Sequence, residues 1–223
     1  MSKNTFLDKF ADPRFSALRK EYAQKSLCEN EVAADPVEQC ERWLGEAAQR
    51  GLTEPNAMVL ATVSPEGQPS ARTVLLKGLD QRGLVFFSNY TSRKGREIAG
   101  NSRVALLFLW AELERQIRVE GVAERLPESE SDRYFAARPR GAQLSAHASE
   151  QSAPIADRGL LETRMSDLES RYGEGTIPRP QEWGGYLVVP ASFEFWQGRR
   201  NRLHDRLVYT RGAGTWSISR IQP

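Results

Sequence analysis

The spacing of apolar and polar positions changes along this chain, and each change marks an element. Val37, Cys40, Trp43, Leu44 and Ala47 recur at helical spacing, which predicts an amphipathic helix with one buried face. Its ends are written in the sequence: Asp35 as N-cap, Pro36 at the first helical position, Glu38 to complete a capping box and Gly51 as the stop. From residue 57 short apolar segments separated by turn signals predict strands. AMVLATVS (57–64) and SARTVLLKGL (70–79) flank the turn-rich PEGQP, GLVFFSNY (83–90) follows DQRG, and VALLFLWAEL with RQIRVEGVAERL predicts another antiparallel pair. Helical patterns return at 127–138 and 155–173, and GYLVVPASFEFWQG, RLHDRLVYTRG and GTWSISRIQP read as three closing strands. The polar opening, residues 1–30, reads as a mobile segment in which LRKEYA (18–23) is helical, and residues 31–223 read as one domain. Short strands joined by tight turns predict a barrel or sandwich. No G-x-G-x-x-G enters a helix, which argues against a dinucleotide-binding fold.

Composition narrows the function. A chain of 223 residues supports one well-buried core, and a net charge of +2 is too small for nucleic-acid binding driven by bulk electrostatics. Anion recognition should therefore come from local clusters and small ligands. Cys28 and Cys40 are the only cysteines and have neither C-x-x-C spacing nor a ligand cluster beside them, so no disulfide framework or metal site is expected. The opening lacks a secretory apolar core, and the apolar run at 104–110 is too short to span a bilayer. A reducing, cytoplasmic setting with no membrane contact is the expectation.

Three cationic clusters carry the candidate chemistry. Arg202, His204 and Arg206 stand at every second residue, which in a strand puts them on one face, where an anionic or electron-rich ligand would relieve their repulsion. A solvated edge strand with scattered charge would show the same spacing. TSRKGRE (91–97) follows a strand and should open a short helix, placing Arg93 and Lys94 at a helix N-terminus, where a phosphate would use the free N–H groups. An ordinary exposed pair at a turn is the plainer reading. Arg72 and Lys77 differ by an odd number of positions, so an unbroken strand sends them to opposite faces and to two separate anions.

With these clusters in view, the chain resembles the pyridoxine/pyridoxamine 5′-phosphate oxidase family. LRKEY, DPVEQCERWL, ATVSPEGQPSARTVLLK, FFSNYTSRKGREI, LERQIRVEGVAERL, YFAARPRGAQLSAHASEQS, EWGGYLV and EFWQGRRNRLHDR occur in the family's order. The resemblance implies a mainly β fold with flanking helices (α+β), a Greek-key-like FMN-binding split β-barrel, and a homodimer with FMN at the interface. It implies FMN contacts at Arg72, Thr73, Val74, Leu75, Leu76, Lys77, Phe87, Ser88, Arg93, Lys94, Gln116, Gln151, Ser152, Trp196 and Arg206. The substrate phosphate would fall to Lys77, Tyr134 and Arg138, the pyridine to Arg202 and His204 as catalytic residues, and a closing N-terminal segment to Arg19 and Tyr22. The implied reaction is oxidation of pyridoxine or pyridoxamine 5′-phosphate to pyridoxal 5′-phosphate, with dioxygen as acceptor and hydrogen peroxide as product.

Two departures from the family pattern stand out. Ala142 replaces a serine that would touch the substrate phosphate, and Arg199, Arg200 and Asn201 replace a Gly-Glu-His run and read as a solvated turn. A relative tailoring phenazines on the same barrel, or a non-catalytic carrier of flavin or pyridoxal phosphate, would share much of this pattern.

Overall fold

The computed structural model describes residues 21–23 and 25–223. Arg19 and most of LRKEYA lie outside the described residues. Glu21–Ala23 carry no regular secondary structure, so the described end of that stretch is not helical.

The first helix, α1 (Pro36–Gln49), forms where its caps predict. The Asp35 carboxylate accepts from the Val37 N–H at 2.7 Å, and Gly51 adopts φ +70° just beyond the end. Glu38 does not close a capping box; its carboxylate is taken by Arg42 one turn on, at 2.5 Å. The buried face is the predicted one, with Val37, Cys40, Trp43 and Ala47 in the core, and burial pushes the Cys40 thiol up to about 12.

The strands are β1 (Ala57–Val63), β2 (Pro69–Leu75), β3 (Gly78–Asp80), β4 (Gly83–Asn89), β5 (Arg103–Trp110), β6 (Arg115–Arg125), β7 (Trp183–Gln197), β8 (Asp205–Arg211) and β9 (Trp216–Arg220). Between them lie the helices α2 (Arg93–Gly100), α3 (Glu128–Ala136), α4 (Arg140–Ala148) and α5 (Gly159–Tyr172). All pairings are antiparallel, in the order β2-β1-β5-β6-β7-β4-β3, with β8 on β7 and β9 on β8. The long strand β7 changes partner along its length. Trp183–Val188 pairs with β4, whereas Ser192–Gln197 pairs with β8, and the register against β6 shifts between these halves at Gly121 and Pro190. That divergence splits the barrel.

The stretch predicted as one strand, 70–79, is broken. The Leu76 N–H bonds Asn56 O beside β1, and the next amide, Lys77 N–H, bonds Val85 O on β4. Consecutive residues thus hold opposite margins of the sheet, so the chain bridges the gap between the edge strands β2 and β3 and curls the sheet. Leu60, Phe86, Phe108, Ile117, Val119, Phe193, Phe195 and Tyr209 fill the interior completely buried, and α1 covers it with Trp43 edge-on to Phe195 at 5.3 Å.

A smaller cluster, Phe135, Leu144, Ile177 and Trp183, fastens α3 and α4 to the sheet. The α4 segment, GAQLSAHA, has few strongly apolar residues, and its helix went unrecognised in the sequence.

Candidate functional site

Where β2 passes to β3, a cleft of about 530 Å³ opens. Its floor is Arg72–Leu75 and Lys77; Phe87 and Ser88 of β4 and Lys94 of α2 form one side, and Tyr134, Arg138, Pro139 and Ala142 the other, with Gln151 and Trp183 completing the lining. The odd spacing of Arg72 and Lys77 does not separate them, because the break at Leu76 resets the alternation and both line this one cleft. Leu76 itself turns into the core.

The lining carries Arg72, Lys77, Lys94 and Arg138 and no carboxylate. Lys94 is buried, and its Nζ donates to Gln151 Oε1 at 2.7 Å, to Ser88 Oγ at 3.1 Å and to Ser92 Oγ at 3.4 Å. All three acceptors are neutral. Burial, aided by the nearby Arg72 charge, lowers its pKa to about 8. Arg138 lies over the Trp183 ring at 4.5 Å, and its Nη1 is buried without a hydrogen-bond partner. Burial lowers its pKa and raises that of Tyr134, which stacks on Phe87 with ring centroids 3.7 Å apart. A buried guanidinium nitrogen left unmatched and an ammonium among neutral acceptors both call for an anion, so the donor set fits phosphate esters.

Not every expected residue lies here. Arg93 opens α2 as predicted, with Ser92 as N-cap, but it is absent from the lining and its Nε donates to Glu97 at 2.8 Å. Ser152, with φ +72°, lines a separate depression with Pro154 and Arg164. Gln116, Trp196 and Arg206 lie directly across from one another on β6, β7 and β8, with Leu109 of β5 next in the same row. Side chains in such a row share one face of the sheet. None of the four lines the cleft.

The predicted alternation of Arg202, His204 and Arg206 on one strand is corrected. β8 begins only at Asp205, and Asn201 and Arg202 adopt φ +56° and +61° in a short 3₁₀ turn. Arg206 pairs with Glu194 at 2.8 Å. His204 Nδ1 accepts the Arg199 backbone N–H at 3.0 Å, which leaves the neutral ring's proton on Nε2. Burial and then the Arg202 charge lower its pKa. Tyr22 stands edge-on to both Trp196 and His204 at 5.7 Å, so the described end of the N-terminal segment meets this loop. Arg199 and Arg200 form an exposed turn, as expected, and Arg199 also pairs with Asp205 at 3.4 Å and donates to Lys25 O at 3.2 Å.

Trp183 and Glu97 were missed by sequence reasoning. Trp183 sits in the quoted EWGG motif, but only the fold shows Arg138 lying on it. Among the described residues, no group of three or more His, Cys, Asp and Glu could hold a metal ion, and no helix is long and apolar enough to cross a membrane.

A split antiparallel barrel with a cationic, carboxylate-free cleft is a binder of phosphate esters, and the similar proteins make its class that of the split-barrel flavoprotein oxidoreductases. Residues 44–172 match the family model described as pyridoxamine 5′-phosphate oxidase, and residues 183–223 match the pyridoxine 5′-phosphate oxidase C-terminal dimerisation region. The chain belongs to the pyridoxine/pyridoxamine 5′-phosphate oxidase family. It is 58% identical over 208 residues to the protein so named from Rubrobacter xylanophilus, covering 93% of this chain and 96% of that one. It is 56% identical over 209 residues to the Burkholderia lata protein of the same name, covering 92% and 97%. Among solved structures, PhzG from Burkholderia lata in complex with tetrahydrophenazine-1-carboxylic acid superposes with a TM-score of 0.85 at 33% identity, covering 90% of this chain and 99% of that one. A pyridoxamine 5′-phosphate oxidase-related FMN binding protein from Nostoc punctiforme shares the fold, with a TM-score of 0.68 at 19% identity over 89% and 100% of the chains.

Proposed function

We propose that this protein is a homodimer that binds FMN and oxidises pyridoxine or pyridoxamine 5′-phosphate to pyridoxal 5′-phosphate. The observation that carries the reading is the cleft without carboxylates, in which the buried Arg138 Nη1 awaits an acceptor. The names of relatives 56–58% identical over nearly the whole chain support the choice of substrate.

Lys94 and Arg93 hold the phosphate of FMN, with Arg72 adding its charge and its remaining Nε donor beside them, and the strand at 73–77 with Phe87, Ser88 and Gln151 borders the rest of the cofactor. Ser152 and the Gln116, Trp196 and Arg206 row complete the cofactor contacts. Because that row is not part of the cleft, it serves the site of the other protomer, and the matched dimerisation region supports this division. Lys77, Tyr134 and Arg138 hold the substrate phosphate. Arg202 orients the pyridine and stabilises charge, His204 donates from Nε2, and Arg19 and Tyr22 close the N-terminal segment over the ligand. When bound, the flavin would supply two-electron chemistry, taking a hydride equivalent from the substrate's exocyclic carbon and handing the electrons to dioxygen as hydrogen peroxide; with the amine substrate, water would then hydrolyse the imine and release ammonia. The setting is cytoplasmic.

The structural likeness to PhzG favours a second reading, in which the Arg138 region takes the carboxylate of a reduced phenazine. Peroxide release by the FMN-loaded protein decides between them. Turnover with either phosphorylated pyridine and none with tetrahydrophenazine-1-carboxylic acid is expected; the reverse would establish the phenazine reading, and no turnover with any would leave a carrier.

A further inference from the structure

Glu97 was assigned no role above, yet its carboxylate holds both Arg72, which lines the cleft, and Arg93, the neighbour of the cleft residue Lys94 at the start of α2. Its side chain is 5% exposed. Oε2 accepts from Thr62 Oγ1 at 2.5 Å, Ser70 Oγ at 2.6 Å and Arg72 Nη2 at 3.2 Å, while Oε1 accepts from Arg93 Nε at 2.8 Å. Burial raises its pKa, but the bonds from Ser70, Thr62 and Arg93 outweigh that and bring the carboxyl down to about 2. It is a carboxylate at any working pH.

The two arginines are held differently. Arg72 spends Nη1 on Leu60 O and Thr62 Oγ1, and Nη2 on Ser70 Oγ and Glu97. Arg93 is gripped only at Nε, and among the described residues its Nη1 and Nη2 meet no acceptor, though its side chain is 57% exposed. A guanidinium held at its inner nitrogen keeps its terminal fork for an oxyanion and has already lost much of its rotamer freedom.

We propose that Glu97 is the positioning residue of the cofactor phosphate site, holding Arg93 by Nε so that its terminal nitrogens meet the phosphate of FMN beside Lys94. The inference rests on the FMN reading above. A purely structural ion pair at the β1-β2-α2 corner would show the same distances, and comparing two flavins separates the cases.

The apoprotein is titrated with FMN and, in parallel, with riboflavin, which lacks the phosphate, following flavin fluorescence. Glu97→Ala should weaken FMN by about tenfold or more and leave riboflavin within about twofold, since only the charge-assisted phosphate contacts are disturbed. Arg93→Lys should lose as much FMN affinity as Arg93→Ala, because a lysine paired with Glu97 has no second nitrogen to offer; this variant carries the test if Glu97→Ala does not fold. Unchanged FMN affinity in Glu97→Ala, equal losses for both flavins, or parent-like binding by Arg93→Lys would each overturn the inference alone. Failure of the parent protein to bind FMN would overturn the site reading with it.

Discussion

Buried among neutral acceptors and facing the Arg72 charge, Lys94 loses its proton near pH 8 in the free protein, whereas a bound phosphate favours the ammonium. Affinity for FMN should therefore be flat from about pH 8 down to the range near pH 6 where the phosphate takes up its second proton, and fall above pH 8 by up to about one decade per pH unit, a slope Lys94→Arg removes. Fluorescence titrations of FMN across that interval check it. On the other side of the cleft, Ala142 stands within reach of the Arg138 region and offers no hydroxyl. Ala142→Ser should lower KM for pyridoxine 5′-phosphate by the equivalent of about 0.5–1.5 kcal/mol with kcat little changed, as steady-state kinetics would show. At this scale the cations were legible, because an arginine or lysine inside an apolar strand or at a helix start is conspicuous. Glu97 was not, since an acid four residues after Arg93 reads as a solvated helix pair. Only the approach of Thr62 and Ser70 from other strands reveals its burial.

Gly198 closes β7 at the point where the His204 loop and the N-terminal segment meet. A Cβ there would stand 2.8 Å from Tyr22 Cγ and 2.9 Å from Glu114 Cβ. Such overlap costs roughly 1–3 kcal/mol, relieved only if Tyr22 leaves and the Glu114 side chain shifts by a few tenths of an ångström. Gly198→Ala should thus displace Tyr22 from Trp196 and His204, raising KM severalfold while FMN stays bound, a split visible in kinetics against flavin titration. Elements announced by their own residues were readable: α1 by its N-cap Asp35 and its stop at Gly51, α2 by TSRKGRE following a strand, and the strands by short apolar segments between turn signals. What escaped depends on distant partners. The strand through 70–79 breaks because Leu76 and Lys77 find acceptors on opposite margins of the sheet, and the Arg202 to Arg206 alternation fails because Asn201 and Arg202 turn left-handed. Neither event leaves a trace in the local hydrophobic pattern.

The sheet leaves Leu109 63% exposed in the same row as Gln116, Trp196 and Arg206. An apolar side chain beside a half-site is well placed for a second copy, and the C-terminal match to a dimerisation region agrees. Leu109→Glu should therefore yield monomers by light scattering and shed FMN together with the dimer; a flavin-loaded monomer would refute the shared site. The barrel class was legible in the tight strand spacing, but the division of the candidate residues between a cleft and a separate row required the register. That division has a genetic counterpart. If each site draws Arg138 from one subunit and Arg202 from the other, Arg138→Ala and Arg202→Ala each inactivate a homodimer, yet a mixed dimer collects both lesions in one site and leaves its twin intact. Randomly reassorted subunits would recover about a quarter of the native sites. Two inactive alleles expressed together should then rescue growth that neither supports alone.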